Sequence, residues 1–316
     1  MASIVREGEW IYGMQLPVQT LTRTLVDPWE DDASVADLVT VARHAEATGH
    51  SFVGVCDHVA VPDDDYAARM STTWYDTVAT LGFLAAHTTV VRLLSVVYVA
   101  AYRHPLQTAK AFGTLDHLSG GRAILGVGAG HVKGEFDALG IDYHQRGAIL
   151  DEVLDAVRGA FDAPYVSFDG ERFAYDRVGV GPAPVSGDLP VWVGGMGAAS
   201  WRRAGRIGDG YIPMANPLTQ YPEIIDTIRA SAHEFGRDEA GFDIGYMPGW
   251  AYLTGPAPDD LPPTAIVGAD ALASDIRSAR EAGANVMHIR VRGRTLPEYL
   301  DQLDAFAEEV VPLVDS

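Results

Sequence analysis

Gly121-Arg-Ala-Ile-Leu-Gly-Val-Gly-Ala-Gly-His-Val-Lys-Gly-Glu-Phe136 is the stretch from which the fold of this chain is read. The apolar run Ala123–Val127 has no polar alternation, as expected of a strand covered on both faces in a parallel sheet. It runs into Gly126, Gly128 and Gly130, which leave backbone N–H groups uncovered, and then into His131 and Glu135, four residues apart. A strand that ends in bare backbone beside titratable groups suits a phosphate or a flat ring held next to proton transfer. The spacing is not that of a dinucleotide fingerprint, because the third glycine of G-x-G-x-x-G falls on His131 or Lys133.

Outward from this stretch, the same unit recurs. Strands are predicted over residues 11–16, 52–57, 93–99, 123–127, 191–194, 210–214, 242–252 and 285–291, with helices between them. Leu38, Val41, Ala42 and Ala45 form one helical stripe, and Leu150, Val153, Leu154, Val157 and Phe161 form another. Gly49 and Gly283 read as helix stops, and Thr295 with Glu298 three residues on reads as a capping box. Eight alternating β and α units predict an α/β fold, a (β/α)8 barrel. An open doubly wound sheet is the alternative, and it lacks both the glycine fingerprint and a linker. Two alternating segments about Asp169-Gly170 predict a β-hairpin inserted between the fourth helix and the fifth strand. The chain therefore reads as one barrel domain over residues 1–316, with an insertion at about 163–188.

Composition bounds the function. The chain is 47% apolar and 21% charged, as soluble globular proteins are. A formal charge of −20 argues against nucleic acid or an anionic membrane as partner. Lys110 and Lys133 are the only lysines, so any anion site must be built from arginine and backbone amides. No apolar run approaches the roughly 18 residues of a membrane span, and the N-terminus lacks a signal-peptide core, so a cytoplasmic protein is expected. A single cysteine, Cys56, allows no internal disulfide.

In a barrel, chemistry sits where strands hand over to helices. Those positions offer Gln15, Asp57-His58, Ser95 to Tyr98, His131 with Glu135, Gly194-Gly195-Met196-Gly197, and the alternating His288, Arg290 and Arg292. Asp57 either tunes His58 for acid–base work or caps the following helix. Gly194–Gly197 ahead of a helix is either an anion seat or a tight turn. Arg290 reads as paired with an acid inside the barrel, whereas Arg292 either pairs similarly or meets a ligand anion. No metal-ligand spacing is present; His131 and Glu135 read as a surface pair on a helix. His44, His50, His87 and His233 read as solvated. No G-x-S-x-G occurs, and Cys56 reads as core, so by elimination the chemistry needs an organic cofactor.

In order, Val55-Cys-Asp-His58, Tyr102-Arg-His-Pro105, Leu115-Asp-His-Leu-Ser-Gly-Gly-Arg122, Gly126-Val-Gly-Ala-Gly-His131, Glu135-Phe-Asp-Ala-Leu-Gly140 and Val193-Gly-Gly195 resemble the luciferase-like oxidoreductase family, the bacterial luciferase superfamily, in its coenzyme F420-dependent branch. The resemblance implies hydride transfer between a deazaflavin and a small organic substrate. FMN-dependent oxygenation is the alternative, and a non-catalytic cofactor-binding barrel the second. It implies catalytic roles for His58 and His131, the latter at a position where sugar-phosphate dehydrogenases of this branch carry Glu. It further implies that Asp57, Ser95, Val96, Tyr98, Ala129, Gly130 and Gly134 surround the ring, with a non-prolyl cis peptide near residues 95–97. Gly194, Gly195, Met196, Gly197 and Ala198 would seat the phosphate, and Gln15 and Arg292 would meet substrate. A homodimer and a flavin or F420 reductase as redox partner are implied as well.

Overall fold

The computed structural model describes residues 3–259 and 261–315. Eight parallel strands close a barrel: β1 (Ile11–Gln15), β2 (Phe52–Val55), β3 (Arg92–Ser95), β4 (Ala123–Val127), β7 (Val191–Gly195), β8 (Gly210–Pro213), β9 (Asp243–Tyr246) and β12 (Val286–Ile289). They pair in chain order, and β12 returns to β1 through Gly13↔His288. The four residues of each of β2, β8, β9 and β12 are buried, as expected of parallel strands covered on both faces.

Successive side chains point to opposite faces of a strand. Met14, Met287 and Ile289 pack outward against the helices, in one core with Leu38 and Val41 of α1 (Val35–Ala47) and Leu150 and Val153 of α5 (Arg146–Gly159). Phe52, Leu94, Ile124, Trp192, Ile212 and Val286 point inward and fill the barrel. The lower end is closed by the N-terminal segment. Buried Asp243 accepts hydrogen bonds from Ser3 Oγ (2.7 Å), Ile4 N (3.0 Å), Val5 N (3.2 Å) and Trp192 Nε1 (2.9 Å). Only the upper end remains for chemistry.

The helix punctuation follows the sequence signals. Gly49 and Gly283 lie at φ +81° and +99°, just past their helices, in the region L side chains disfavour. Thr295 accepts from the Glu298 N–H, but the Glu298 carboxylate turns to Arg294 instead of completing the capping box. The expected hairpin is β5 (Val166–Asp169) against β6 (Ala174–Val178), and it docks on α5, where Glu152 accepts from Arg172 N and Phe173 N at 2.8 Å.

Two expectations are corrected. The segment 242–252 is not one strand: β9 ends at Tyr246, and after Pro248 the chain pairs as β10 (Ala251–Tyr252) with β11 (Ile266–Val267) and with Val291. Proline lacks the N–H a continuing ladder needs. His50 is not solvated but 3% exposed, edge-on to Tyr12, and burial holds its pKa down to about 3. Among the described residues, no helix is long and apolar enough to cross a membrane.

Candidate functional site

The upper end is organised by a short helix that sequence reasoning placed on the surface. α4 (Lys133–Ala138) follows β4, and its Glu135 is fully buried. Glu135 does not pair with His131, as the spacing suggests. Its Oε2 meets His58 Nδ1 at 3.0 Å and the Tyr102 hydroxyl at 2.9 Å. Its Oε1 accepts from the backbone N–H groups of Val59 and, at 3.0 Å, Ala60. Burial works against the charge, but the bonds from His58, Ala60 and Val59 outweigh it and hold Glu135 below the usual carboxylate range. An ionised carboxylate can only accept, so His58 Nδ1 carries a proton and, in the neutral ring, Nε2 keeps its lone pair.

His58 lies 4.4 Å, centroid to centroid, from Trp74 and 6.0 Å from His131, which is itself 6.0 Å from Tyr66. His131 and Tyr66 are exposed, so these rings form an aromatic rim around a buried acid. Burial of its inner side and the neighbouring His58 hold the pKa of His131 below the ordinary histidine value. The acid–base candidates therefore stand together, with Glu135 and Tyr102 as members the sequence motifs contained but local spacing could not assign.

Asp57 is buried and serves three N–H groups: Arg103 Nη1 (2.5 Å), Arg103 Nη2 (2.8 Å) and Val99 N (2.8 Å). Arg103 lies 4.2 Å over the Tyr98 ring. This bidentate pair ties the end of β2 to the segment after β3. Ser95 and Tyr98 are turned into the wall, contrary to expectation. Ser95 Oγ bridges the N–H (3.0 Å) and carbonyl (2.8 Å) of Gly126, and Tyr98 is 3% exposed, edge-on to Phe112 of α3 (Pro105–Ser119).

Between them the Val96–Val97 peptide bond is cis. Val96 fills the space over Gly54, and Val97 fills the space over both Gly128 and Gly194, where a Cβ would come within 2.5 and 2.6 Å of its methyls. These glycines thus admit the Val96–Val97 step to the barrel mouth. Gly130, at φ +80°, packs against Val99 and Phe136, following Ala129, and Gly134 is covered by Pro62.

Across the mouth, α6 (Ala198–Ile207) begins at Gly197, which makes no side-chain cap. A Cβ on Gly197 would meet nothing within 4 Å, whereas Gly195 packs on Ser200. Met196 beside it is 55% exposed. The first turn of α6 therefore offers amides to an anion with room in front of them. Residues present fit a phosphate-bearing flat cofactor: an open helix start, a floor formed by the Val96–Val97 step over Gly128 and Gly194, and an acid–base pair at the rim.

Gln15 and Gly54 are in register, as are Gly13 and His288, so Gln15 and Arg290 share the uppermost inward layer. Arg292, expected to meet substrate, is instead paired with Asp27 (2.8 Å) and lies 4.0 Å over Trp250. Cys56, expected in the core, is partly exposed, and burial of its thiol pushes its pKa up to about 12. No group of three or more metal-ligating side chains occurs among the described residues.

A family model described as luciferase-like monooxygenase matches residues 14–253. The chain is 31% identical over 210 residues to a 5,10-methylenetetrahydromethanopterin reductase of Methanolobus tindarius, covering 66% of this chain and 60% of that relative. It is 34% identical over 164 residues to a phthiodiolone/phenolphthiodiolone dimycocerosates ketoreductase of Mycobacterium sp. (strain JLS), covering 50% of this chain and 43% of that one. The chain thus matches less than two thirds of either relative's length. Two solved structures superpose with a TM-score of 0.78. One is an F420-dependent secondary alcohol dehydrogenase in complex with an F420-acetone adduct (19% identity, 97% of this chain, 99% of that chain). The other is monooxygenase RslO1 from Streptomyces bottropensis (21% identity, 96% and 99%). At such identities the structures share the fold, and the relatives and neighbours are oxidoreductases and monooxygenases. With the family model matching residues 14–253, well over half of the chain, this chain belongs to the luciferase-like monooxygenase family.

Proposed function

We propose that this protein is a coenzyme F420-dependent oxidoreductase that moves a hydride between the deazaflavin and a small organic substrate. The observation that carries the reading is the Glu135–His58 pair, a buried anion fixing an imidazole at the rim of a mouth floored by the Val96–Val97 step. A deazaflavin has carbon where flavin has N5, so it supplies hydride transfer and does not readily activate dioxygen.

The chain's own part is proton management and positioning. His58 Nε2, its lone pair set by Glu135, takes or returns the proton of a substrate hydroxyl. Trp74 and His131 limit water around that atom. Asp57, through Arg103 and the Val99 N–H, fixes the backbone next to Val96–Val97. The glycine segment Gly194–Gly197 and the first amides of α6 receive a phosphate. A homodimer and a separate reductase belong to the same reading.

A second reading, FMN-dependent oxygenation, draws support from the equal TM-score of the monooxygenase neighbour. Fluorescence titration of the purified protein with oxidised F420 and with FMN in parallel separates the two. Micromolar affinity for F420 with much weaker FMN binding is expected; the reverse preference, with oxygen uptake on reduced FMN, overturns the proposal.

A further inference from the structure

Strand alternation around β12 sends Val286 and His288 into the barrel and Met287 and Ile289 out to the helices. The same period turns Arg290 inward, one layer above His288, beside Gln15 and in the layer of Val96. Backbone bonds from Ala251 N to Arg290 O (2.8 Å) and from Arg292 N to Ala251 O (3.0 Å) lock the 248–252 segment beside it. The guanidinium is held there twice, by Nη2 donating to Pro248 O at 2.8 Å and by the face of Trp250 at 4.9 Å.

What Arg290 lacks is an anion. Among the described residues no carboxylate lies in ion-pair range of it, whereas Arg292, whose Nε is likewise buried without an acceptor, has Asp27 on its Nη1. Its neighbour Arg292 is neutralised by Asp27, so Arg290 is the uncompensated cation of this wall. Burial and the proximity of Arg292 both work against its charge. A half-buried cation left without a partner is costly, and in a chain of net charge −20 the omission of a carboxylate there is notable. Neither lysine is at hand: Lys110 is bonded to Gly181 O and Lys133 to Asp137. One guanidinium with planar donors matches one singly charged, planar oxyanion, and a phosphate dianion would be left half-neutralised.

We infer that Arg290, steadied by Trp250 and Pro248, is the receptor for a carboxylate on the substrate, so the reacting molecule is an organic monocarboxylate. This deepens the proposed hydride-transfer reading and rests on it for the identity of the carboxylate bearer as substrate.

The test is calorimetric titration of the cofactor-loaded protein with benzoate, benzamide and phenyl phosphate, repeated on the cofactor-free protein. Benzoate is expected to bind at least 10-fold more tightly than either isostere. Arg290→Met should reduce benzoate affinity about 10- to 100-fold with benzamide unchanged, and Arg290→Lys should fall between, since it keeps the charge and loses the fork. Equal binding of benzoate and benzamide, a preference for phenyl phosphate, or full benzoate affinity in Arg290→Met overturns the inference. Should Arg290→Met not fold, the benzoate–benzamide comparison and Arg290→Lys carry the decision. Failure of the functional reading shows separately, as loss of F420 binding with carboxylate selectivity intact on the cofactor-free protein.

Discussion

Glu135→Gln isolates what the buried carboxylate does for His58. The amide has the carboxylate's shape, and its oxygen can keep the Val59 and Ala60 N–H groups. Its NH2 then faces His58 Nδ1 and the Tyr102 oxygen, which switch from donating to accepting. Four hydrogen bonds thereby lose their ionised partner. A bond to a charged group contributes about 1.5–3 kcal/mol and a neutral one about 1 kcal/mol, so about 2–8 kcal/mol is lost over the four, much of it offset because an amide is easier to bury. The variant should fold and melt several degrees lower. The larger effect is on the ring: with Nδ1 accepting, the proton moves to Nε2, and the face toward the mouth changes from base to donor. Proton-coupled turnover should drop about 10²–10⁴-fold, the usual contribution of a positioned acid–base group. Long-range 15N–1H correlation of the His58 ring reads the tautomer directly. Finding Nε2 still unprotonated, with turnover within a few-fold of the parent, would refute the role assigned to Glu135. Glu135→Ala is the contrast, since it takes the acceptor from four part-buried donors and should cost more stability than the amide does.

Gly197→Asp tests the anion seat at α6: φ is −130° and the Cβ position is open, so the side chain fits and should cap the helix, adding roughly a few tenths of a kcal/mol of stability. The same carboxylate stands where a cofactor phosphate would, so F420 affinity should fall at least 10-fold while the melting temperature rises; unchanged affinity removes the seat from this helix. Glu30, 3% exposed, accepts from Val18 N (2.7 Å) and Asp27 N (2.8 Å), and burial pushes its pKa up to about 7. A folded pKa above the unfolded value gives stability that is full below about pH 4.5 and fades as pH rises through about 7, with at most about 3 kcal/mol at stake. Denaturation of Glu30→Gln between pH 5 and 8 should therefore show a flatter pH dependence than the parent; parallel curves would count against it.

The barrel was legible because its signal is repeated and local. Buried parallel strands are apolar on both faces, and β2, β4 and β7 are such runs; the break at Pro248 was read through, since one apolar pattern continued across it. Site membership was legible where a motif lies at a strand end, as with Asp57-His58 and Gly194–Gly197. Partnership was not, because partners are chosen by closure of the barrel and not by spacing. Glu135 stands four residues from His131 and 77 from His58, yet its bond is to His58, since α4 turns that face inward beneath the β2 loop. The two arginines show the same limit from the other side. Alternation sends both Arg290 and Arg292 inward, and nothing in the strand itself distinguishes them. Asp27, more than 260 residues away, neutralises one and leaves the other on Pro248 O and the Trp250 face. Partnership, set by closure of the barrel, is thus what separates two like residues at one strand end, and the proposed role of Arg290 rests on that difference.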